Sequence, residues 1–325
     1  MRILKGNEIN MQSWEILFQD SPFSTFFQSP ECYRFYAELS FLSPFVYAVE
    51  EEGELTALVC GYLIAEKGLI KSCFSRRAII PGGALLAKNV NQQSLYVLLS
   101  ALKSELRQLS VYIEFRNYLD YSKYKDIFVE AGFIYKPHLN FHLKIENYET
   151  LWGNLGTNRK REILKSNNAG LVCVETKNED DIISLYSILL ELYSKKVKRP
   201  LFPMEFFVKL GSESFAKIFT VKNREEIIGG IVCVVDKNVV YEWFVCGVSE
   251  MSQYPQTLAT WTAIKFALEN GFNKFDFMGA GSPEKKYGVR DYKSRFGGEE
   301  VEYGRFLYVS KPRIYKMLKF LIELI

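Results

Sequence analysis

The same order of elements occurs twice along the 325-residue chain, and this repetition constrains the fold more than any other feature. Each half contains apolar runs typical of strands, a helix with apolar residues every three or four positions, and then a short buried strand. The first half is predicted to contain helices at 29–39, 93–109 and 124–132 and strands at 45–49, 55–64 and 111–115, with a strand end and turn at 78–83. The second half is predicted to contain helices at 149–168, 180–195 and 257–270 and strands at 140–145, 171–175, 215–220, 226–235, 239–246 and 274–278. Two such copies predict two related α/β domains.

The length of the chain agrees with this division, because 325 residues exceed what one ordinary core holds. Apolar residues make up 48% of the chain and aromatic residues 15%, so an intrinsically disordered protein is excluded. We predict a first domain at 1–139 and a second at 140–305. The C-terminal segment 306–325 is expected to form a helix that packs on the first domain.

The end of this segment has apolar residues at helical spacing. They are Ile314, Met317, Leu318, Leu321 and Ile325. A closing helix packed on a domain explains them. The four cations among them, Lys311, Arg313, Lys316 and Lys319, leave open a helix that rests on a membrane surface.

Cysteine and histidine usage argues against a metal site or a disulfide framework. The six cysteines form no CxxC pair, and the only histidines are His138 and His142. The N-terminus lacks the apolar core of a signal peptide, and no apolar run approaches the roughly 20 residues that span a bilayer. We expect reduced thiols in a cytoplasmic protein, with contact at the inner face of the membrane left open.

Positive charge is concentrated in three stretches, although the formal net charge is only +3. Residues 159–165, 195–199 and 285–295 together hold thirteen of the 41 cations and two of the 38 acids. Such polarisation favours an anionic partner if the stretches meet in space. Three separate solvated surfaces are the alternative.

The third stretch, 287–299, lies in a predicted loop that follows the buried strand 274–278. It alternates cations with aromatic rings: Tyr287, Arg290, Tyr292, Lys293, Arg295 and Phe296. Cations between rings can bind a phosphate or carboxylate, and a rigid strand would fix their position.

Four segments in order along the chain resemble the Fem-type aminoacyltransferases that build peptidoglycan cross-bridges. They are Thr25-Phe-Phe-Gln-Ser-Pro30, the basic segment Lys160-Arg-Glu-Ile-Leu-Lys-Ser-Asn-Asn-Ala-Gly170, the Asp-x-x-Gly strand Gly271-Phe-Asn-Lys-Phe-Asp-Phe-Met-Gly279, and the aromatic-Lys-x-x-Phe-Gly signature within 287–297. The resemblance implies an α/β fold of two tandem GNAT-like domains with mixed central sheets flanked by helices. The long helical arm of the best-known members is missing, so the match is to a compact, armless branch.

The resemblance also implies an activity. Fem-type enzymes transfer an amino acid from aminoacyl-tRNA to an amine of a lipid- or nucleotide-linked muropeptide, without a metal or other cofactor. The expected donor is therefore aminoacyl-tRNA, and the expected acceptor is an anionic muropeptide or another cell-envelope amine. Aminolysis of an activated ester needs alignment and oxyanion stabilisation rather than a covalent nucleophile.

Lys293 matches the family's lysine in the signature loop, and we predict that its ammonium faces the developing oxyanion or the tRNA terminus. Tyr292 would shape the pocket. Arg290 and Arg295 are candidates for phosphate binding, with pairing to Asp291, Glu299 or Glu300 as the alternative.

Two carboxylates are candidates for proton transfer. Glu114 matches an acidic position of the family's first domain and ranks above Glu242, which lies on an apolar strand. On that strand, Tyr241 and Trp243 are expected to share one face and to contact substrate, with Glu242 and Phe244 on the other. A plain core strand explains Tyr241 and Trp243 nearly as well.

The remaining candidates for binding the diphosphate or the acceptor stem are cations on two of the basic stretches. They are Arg161, Lys165, Lys198 and Arg199, each of which can equally be a solvated surface residue.

Two rival functions remain. An acyl-CoA-dependent N-acyltransferase of polysaccharide or lipid synthesis needs a glycine-rich turn before a helix, and no glycine lies between Val248 and Asn270. A non-catalytic binding protein on the same fold is the second rival.

Overall fold

The computed structural model describes residues 1–66, 68, 74–197, 200–248 and 253–324, with the side chains of the last helix described as far as Phe320. The chain divides into two compact units: residues 1–138 together with 302–325, and residues 139–301. Each unit is built on one sheet flanked by helices.

The first unit contains an eight-stranded sheet. Its strands are β1 (Arg2–Lys5), β2 (Leu42–Glu51), β3 (Glu54–Ile64), β4 (Arg77–Gly82), β5 (Leu85–Leu86), β6 (Tyr112–Asn117), β7 (Ile134–Lys136) and β15 (Arg305–Val309). Its helices are α1 (Met11–Asp20), α2 (Pro30–Ala37), α3 (Gln92–Leu109), α4 (Lys125–Glu130) and α11 (Pro312–Leu324). The strand order is β1-β2-β3-β4-β6-β15-β7, with β5 paired to β3. Residues 305–309 are thus a strand, and the C-terminal helix begins only at Pro312.

The second unit contains a seven-stranded sheet of order β14-β8-β13-β12-β11-β10-β9. Its strands are β8 (Leu139–Lys144), β9 (Val172–Glu175), β10 (Ala216–Asn223), β11 (Glu226–Asp236), β12 (Val239–Gly247), β13 (Lys274–Gly279) and β14 (Glu299–Glu302). Its helices are α5 (Tyr148–Asn154), α6 (Thr157–Asn168), α7 (Glu179–Leu192), α8 (Met204–Ser212), α9 (Pro255–Glu269) and α10 (Gly288–Ser294). The fold prediction of two mixed α/β domains is confirmed.

One predicted helix is broken in the structure. The range 149–168 forms α5 and α6, separated at Gly156, whose amide donates to the carbonyl of Arg295 at 2.8 Å. A Cβ at Gly156 would lie 3.3 Å from that carbonyl oxygen, so a small residue suits the contact. This break sets the start of α6 directly against the end of α10.

The second prediction that the structure corrects concerns the stretch 287–299. It begins with a helix, α10, rather than a loop. Lys293 lies in the last turn of α10, and its side chain is buried. A helix fixes that ammonium more firmly than a loop would.

The cores of both units follow the apolar periodicities of the sequence. In the first unit α3 buries Leu95, Leu98, Leu99, Leu102 and Leu106 against the sheet. In the second unit α9 buries apolar residues around most of its circumference, including Trp261 and Ile264. Five cysteines in the described part of the chain are free thiols, and four of them are buried. No described helix is long and apolar enough to cross a membrane.

Candidate functional site

The candidate site lies where two neighbouring strands of the second unit part. Strands β12 and β13 are parallel and remain paired only as far as Tyr241 opposite Asp276. Beyond this point each strand is irregular. In β12 the pairing with β11 skips Trp243, which is the extra residue of a β-bulge between Glu242 and Phe244.

Strand β13 carries a second irregularity at the same level. Its pairing with β8 passes from Asp276 opposite His142 to Gly279 opposite Asn140, so two residues of β13 face one of β8. Met278 has a φ of 58°, and its amide donates to Asp276 Oδ1 at 2.6 Å. A left-handed conformation is unusual for methionine, and the aspartate stabilises it locally.

Lys293 occupies the opening between the two strands. Its Nζ donates to the carbonyl of Phe277 and, at 3.1 Å, to the carbonyl of Gly279. It also lies 3.6 Å from Glu242 Oε1 on β12. The ammonium thus satisfies two carbonyls at the end of β13, where pairing with β12 has ceased, and places a positive charge in the second unit's interior.

Burial changes the titration of both members of this pair. The pKa of Glu242 is raised to about 7 by burial, although Lys293 and a hydrogen bond from Thr260 offset part of the effect. Burial lowers the pKa of Lys293, and the nearby charges of Glu242 and Asp276 oppose that shift. A carboxyl with a pKa near neutrality can both accept and release a proton at physiological pH.

A second acid and a histidine extend the cluster. Asp276 is fully buried, and its Oδ2 lies 3.1 Å from His142 Nε2. Asp276 also contributes to the raised pKa of Glu242, since two neighbouring carboxylates disfavour double ionisation. His142, Asp276, Glu242 and Lys293 therefore form one cluster of ionisable side chains, in which Asp276 and Lys293 both influence the pKa of Glu242.

Tyr292 links this cluster to the basic helix. Its hydroxyl lies 3.2 Å from Thr260 Oγ1, and Thr260 donates to Glu242 at 3.3 Å. The guanidinium of Arg159 on α6 stacks 4.3 Å from the centre of the Tyr292 ring. Two of the three cationic stretches, 159–165 and 285–295, are therefore in contact.

The other predicted residues of the 287–297 signature have different environments. Arg290 donates to the carbonyls of Ala280, Ser282 and Lys285, so it holds the preceding loop rather than pairing with Asp291, Glu299 or Glu300. Arg295 and Tyr287 are exposed.

Among the remaining cations, Arg161 is exposed, and Lys165 lies 6.0 Å from the ring centre of Tyr254. Lys198 and Arg199 lie outside the described residues. The structure thus brings Tyr292 and Lys293 together in the interior and leaves Arg161, Lys165 and Arg295 on the surface.

The bulge in β12 overturns the predicted alternation of its side chains. Trp243 packs 5.0 Å from Phe206, and Phe244 packs 6.1 Å from the same ring, so the two lie on the same side of the strand. Tyr241 is buried in the core. Only Trp243 of the predicted pair is therefore partly accessible to a ligand.

Glu114 in the first unit has an environment that shifts its pKa in the direction opposite to that of Glu242. It accepts from Arg116 Nε at 2.7 Å and from Arg305 Nη1 at 3.1 Å. Burial alone would raise its pKa, but the two guanidinium groups outweigh burial and hold the pKa at about 2. Glu114 is thus a poor proton acceptor at neutral pH, and these environments reverse the predicted ranking of the two carboxylates.

Sequence reasoning missed Asp276, His142, Thr260 and Arg159 as members of the site. One signal was present, because an aspartate inside the apolar run 274–278 is unusual for a buried strand. Thr260 and Arg159 belong to the site only through tertiary contacts, to Glu242 and Tyr292, which leave no local signal in the sequence.

The titration of Glu242 predicts a pH-dependent stability. The ordinary carboxyl pKa is 4.5, and the folded value is about 7, so the folded state holds a proton that the unfolded chain releases. The contribution of this group is fully present below pH 4.5 and is lost as the pH rises through 7. Relative to Glu242→Gln, the unfolding free energy of the wild type should fall by up to about 3 kcal/mol across this window.

Urea denaturation at several pH values measures this fall in unfolding free energy, with Glu269→Gln at an exposed position as the control. An equal pH dependence of wild type and Glu242→Gln would contradict the raised pKa.

Known proteins resemble this chain in fold. Residues 157–294 match the family model described as an acetyltransferase (GNAT) domain. The structure of FemX is similar over 98% of this chain and 99% of its own, with a TM-score of 0.71 and 13% identity. A tandem GNAT protein from the clavulanic acid biosynthesis pathway covers 95% of this chain and 98% of its own, with a TM-score of 0.64 and 9% identity.

A third structure, L-PGS from Bacillus licheniformis, matches over 97% of both chains, with a TM-score of 0.58 and 11% identity. No curated protein sequence matches the chain significantly. The fold is therefore a tandem GNAT-like fold, as in FemX, and residues 157–294 of the second unit match an acetyltransferase (GNAT) domain.

Proposed function

We propose that the second unit transfers an aminoacyl group from aminoacyl-tRNA to an amine of a peptidoglycan precursor or related cell-envelope acceptor. The observation that carries the proposal is the buried Lys293–Glu242 pair at the point where β12 and β13 part. The fold shared with FemX and the four Fem-like segments support the same reaction class. Lys293 belongs both to the last of these four segments and to the buried pair.

The pair supplies both proton steps of ester aminolysis. The acceptor nitrogen attacks the ester carbonyl carbon, a C–N bond forms, and the bond from that carbon to the ribose oxygen breaks. Glu242 as carboxylate takes the proton that the nitrogen loses, and the Lys293 ammonium donates a proton to the departing ribose oxygen. Glu242 then returns its proton to Lys293 across their 3.6 Å separation, which restores both groups.

The surroundings of the pair prepare it for this role. Two β13 carbonyls fix the position of Lys293 Nζ, so its longer contact to Glu242 is the one that a developing oxyanion can replace most easily. Asp276 acts as a positioning residue, since its charge influences the pKa values of both Glu242 and Lys293, and His142 contacts Asp276 at 3.1 Å.

Surface features of the second unit suit a single-stranded RNA end. Arg161, Lys165 and Arg295 are exposed cations on α6 and at the end of α10, two segments that are in contact. Beside the bulge, the partly exposed Trp243 packs on the buried Phe206, and an accessible indole ring is a surface on which a base can stack. Phosphate contacts of this kind weaken as salt rises.

Acyl-CoA is the rival donor, and the first turn of α9 disfavours it. In that turn Thr257 donates to the Glu162 carboxylate at 2.9 Å, and Arg159 donates to both side chains. A diphosphate bound there would face this carboxylate. The end of β12 also packs tightly on the turn, because a Cβ at Gly247 would lie 2.7 Å from the Gln256 nitrogen.

Binding experiments with the full chain separate the two donors. We expect bulk aminoacylated tRNA to be retained in a filter assay at low salt and released as salt rises. The double variant Arg161→Gln with Lys165→Gln should bind about tenfold more weakly, since two phosphate contacts are lost. Lys88→Gln with Arg107→Gln, on the first unit, is the charge-matched control. Calorimetric titration with acetyl-CoA should give no heat. Failure to retain tRNA at low salt would refute the proposal, and a binding isotherm with acetyl-CoA would support the rival.

A further inference from the structure

The outer face of the C-terminal helix α11 lies on the first unit, which has no part in the proposed reaction. Two large apolar side chains on this helix, Met317 and Phe320, are 47% and 62% exposed. They are three residues apart and therefore on the same face. We propose that this face binds the surface of an anionic lipid bilayer.

Contacts within the first unit show which side of α11 is already occupied. The ring of Tyr315 packs edge-on against Tyr112 of β6, with ring centres 5.6 Å apart. Ile314 and Leu318 are half-buried. The amides of Ser310 and Lys311 both donate to the carbonyl of Val111, so the start of the helix is tied to the residue directly before β6. The helix is docked through this inner face.

The opposite side combines apolar and cationic groups. At 100° per residue, Arg313, Lys316, Met317 and Phe320 lie within about a third of the circumference. All four are exposed. Long cationic side chains beside partly exposed aromatic and thioether groups are typical of helices that lie in the interface of a bilayer, where the cations reach the headgroups.

Charge complementarity identifies the lipid. Residues 311–325 contain four cations and one acid, Glu323, so this segment alone carries a net charge equal to the formal +3 of the entire chain. Anionic headgroups attract such a cluster, while zwitterionic headgroups do not.

The chemistry of the face favours lipid over RNA. An RNA surface would use the cations but would gain little from Met317, whose thioether side chain has no ring on which a base can stack. Insertion of Met317 and Phe320 below the headgroups removes both side chains from water, while the neighbouring cations contact the anionic headgroups. The face is an attachment surface, and the inference does not depend on the proposed reaction.

Co-sedimentation of the full chain with vesicles tests the inference without any substrate. We expect sedimentation with vesicles of equal parts phosphatidylglycerol and phosphatidylcholine, and at least about tenfold weaker binding to phosphatidylcholine alone. The variant Met317→Ser with Phe320→Ser should lose at least about tenfold in partitioning, as should Arg313→Gln with Lys316→Gln.

Matched controls come from the same unit. Met11→Ser with Ile16→Ser removes two exposed apolar side chains from α1, and Lys88→Gln with Arg107→Gln removes two exposed cations. Both controls should sediment as the wild type does. In a Phe320→Trp variant, the added fluorescence should shift to the blue when anionic vesicles are present.

Three results would overturn the inference. The first is wild-type sedimentation that is equal for neutral and anionic vesicles. The second is sedimentation of the Met317/Phe320 variant that is as strong as that of the wild type. The third is a wild type that does not bind vesicles, together with an Arg313/Lys316 variant that no longer binds bulk tRNA. The last result would assign the face to RNA. Because no donor or acceptor is present in the vesicle assay, its two outcomes are separate from success or failure of the transferase proposal.

Discussion

Replacement of Lys293 by methionine is expected to lower the free energy of unfolding of the second unit by about 3 kcal/mol. Two effects contribute. The carbonyls of Phe277 and Gly279 lose their donor in the interior, and Glu242 loses the neighbouring charge that stabilises its ionised form. The carboxyl can respond by taking up a proton, which limits the second effect.

A double-mutant cycle separates these two contributions. Glu242→Gln alone should change stability by less than about 1 kcal/mol near pH 4, where the carboxyl is protonated in both the folded and the unfolded state and resembles the neutral amide. The double variant should be more stable than Lys293→Met by about 1–2 kcal/mol, since no unpaired charge remains and only the two carbonyls lack a donor.

Urea denaturation followed by tryptophan fluorescence reports mainly on the second unit, because Trp152, Trp243 and Trp261 lie there and only Trp14 lies in the first. Lys286→Met, an exposed lysine of the same segment, is the matched control and should remain within about 0.5 kcal/mol of the wild type. A Lys293→Met variant as stable as this control would show that the ammonium is not held as the structure describes.

The architecture was accessible from the sequence because apolar periodicity is a local signal. The observed strand β3 at Glu54–Ile64 and helix α3 at Gln92–Leu109 lie within one residue of the predicted ranges. Where tertiary contacts decide the local conformation, the predictions failed. The break at Gly156 depends on a hydrogen bond to Arg295, which is far away in sequence. Helix α10 was predicted as a loop because its seven residues are too few for a periodic pattern.

The site was only partly accessible for the same physical reason. Motif resemblance identified Lys293 and Tyr292, but the partners of that lysine come from positions 242, 277 and 279. Their convergence depends on where β12 and β13 stop pairing, and a β-bulge leaves no periodic signature. The bulge at Trp243 also explains why strict alternation assigned Trp243 and Phe244 to opposite faces.

The two carboxylates show a further limit of local reasoning. Glu114 and Glu242 both lie on strands between apolar or aromatic neighbours, so the sequence around each is similar. The pKa of Glu114 is lowered because two arginines contact its carboxylate. The pKa of Glu242 is raised because a single lysine only partly opposes the effect of burial. In the first unit the parallel strands β4 and β6 stay paired from Ala78 to Gly82, so no opening comparable to that between β12 and β13 forms there.

Lys293 and Glu242 are expected to have the largest effect on transfer itself. If the pair carries out both proton steps, Lys293→Met should lower the rate of label transfer from aminoacylated tRNA to the muropeptide acceptor by about 10²–10³-fold, because a preorganised charge and an acid are lost. Glu242→Gln should lower it by about 10²-fold. Filter binding of tRNA should remain within about threefold of the wild type for both variants, since neither side chain is on the surface that carries the exposed cations.

The pH profile and the double variant distinguish this mechanism from loss of folding. Transfer by the wild type should rise with pH through about 7, as Glu242 ionises and becomes able to accept the proton of the amine. The Lys293→Met/Glu242→Gln variant should recover part of its stability and yet remain as inactive as Lys293→Met, because stability and proton transfer depend on the pair in different ways. Lys286→Met should transfer at the wild-type rate. Transfer that recovers together with stability in the double variant would mean that the pair only holds the strands apart, and the catalytic assignment of Lys293 would then be wrong.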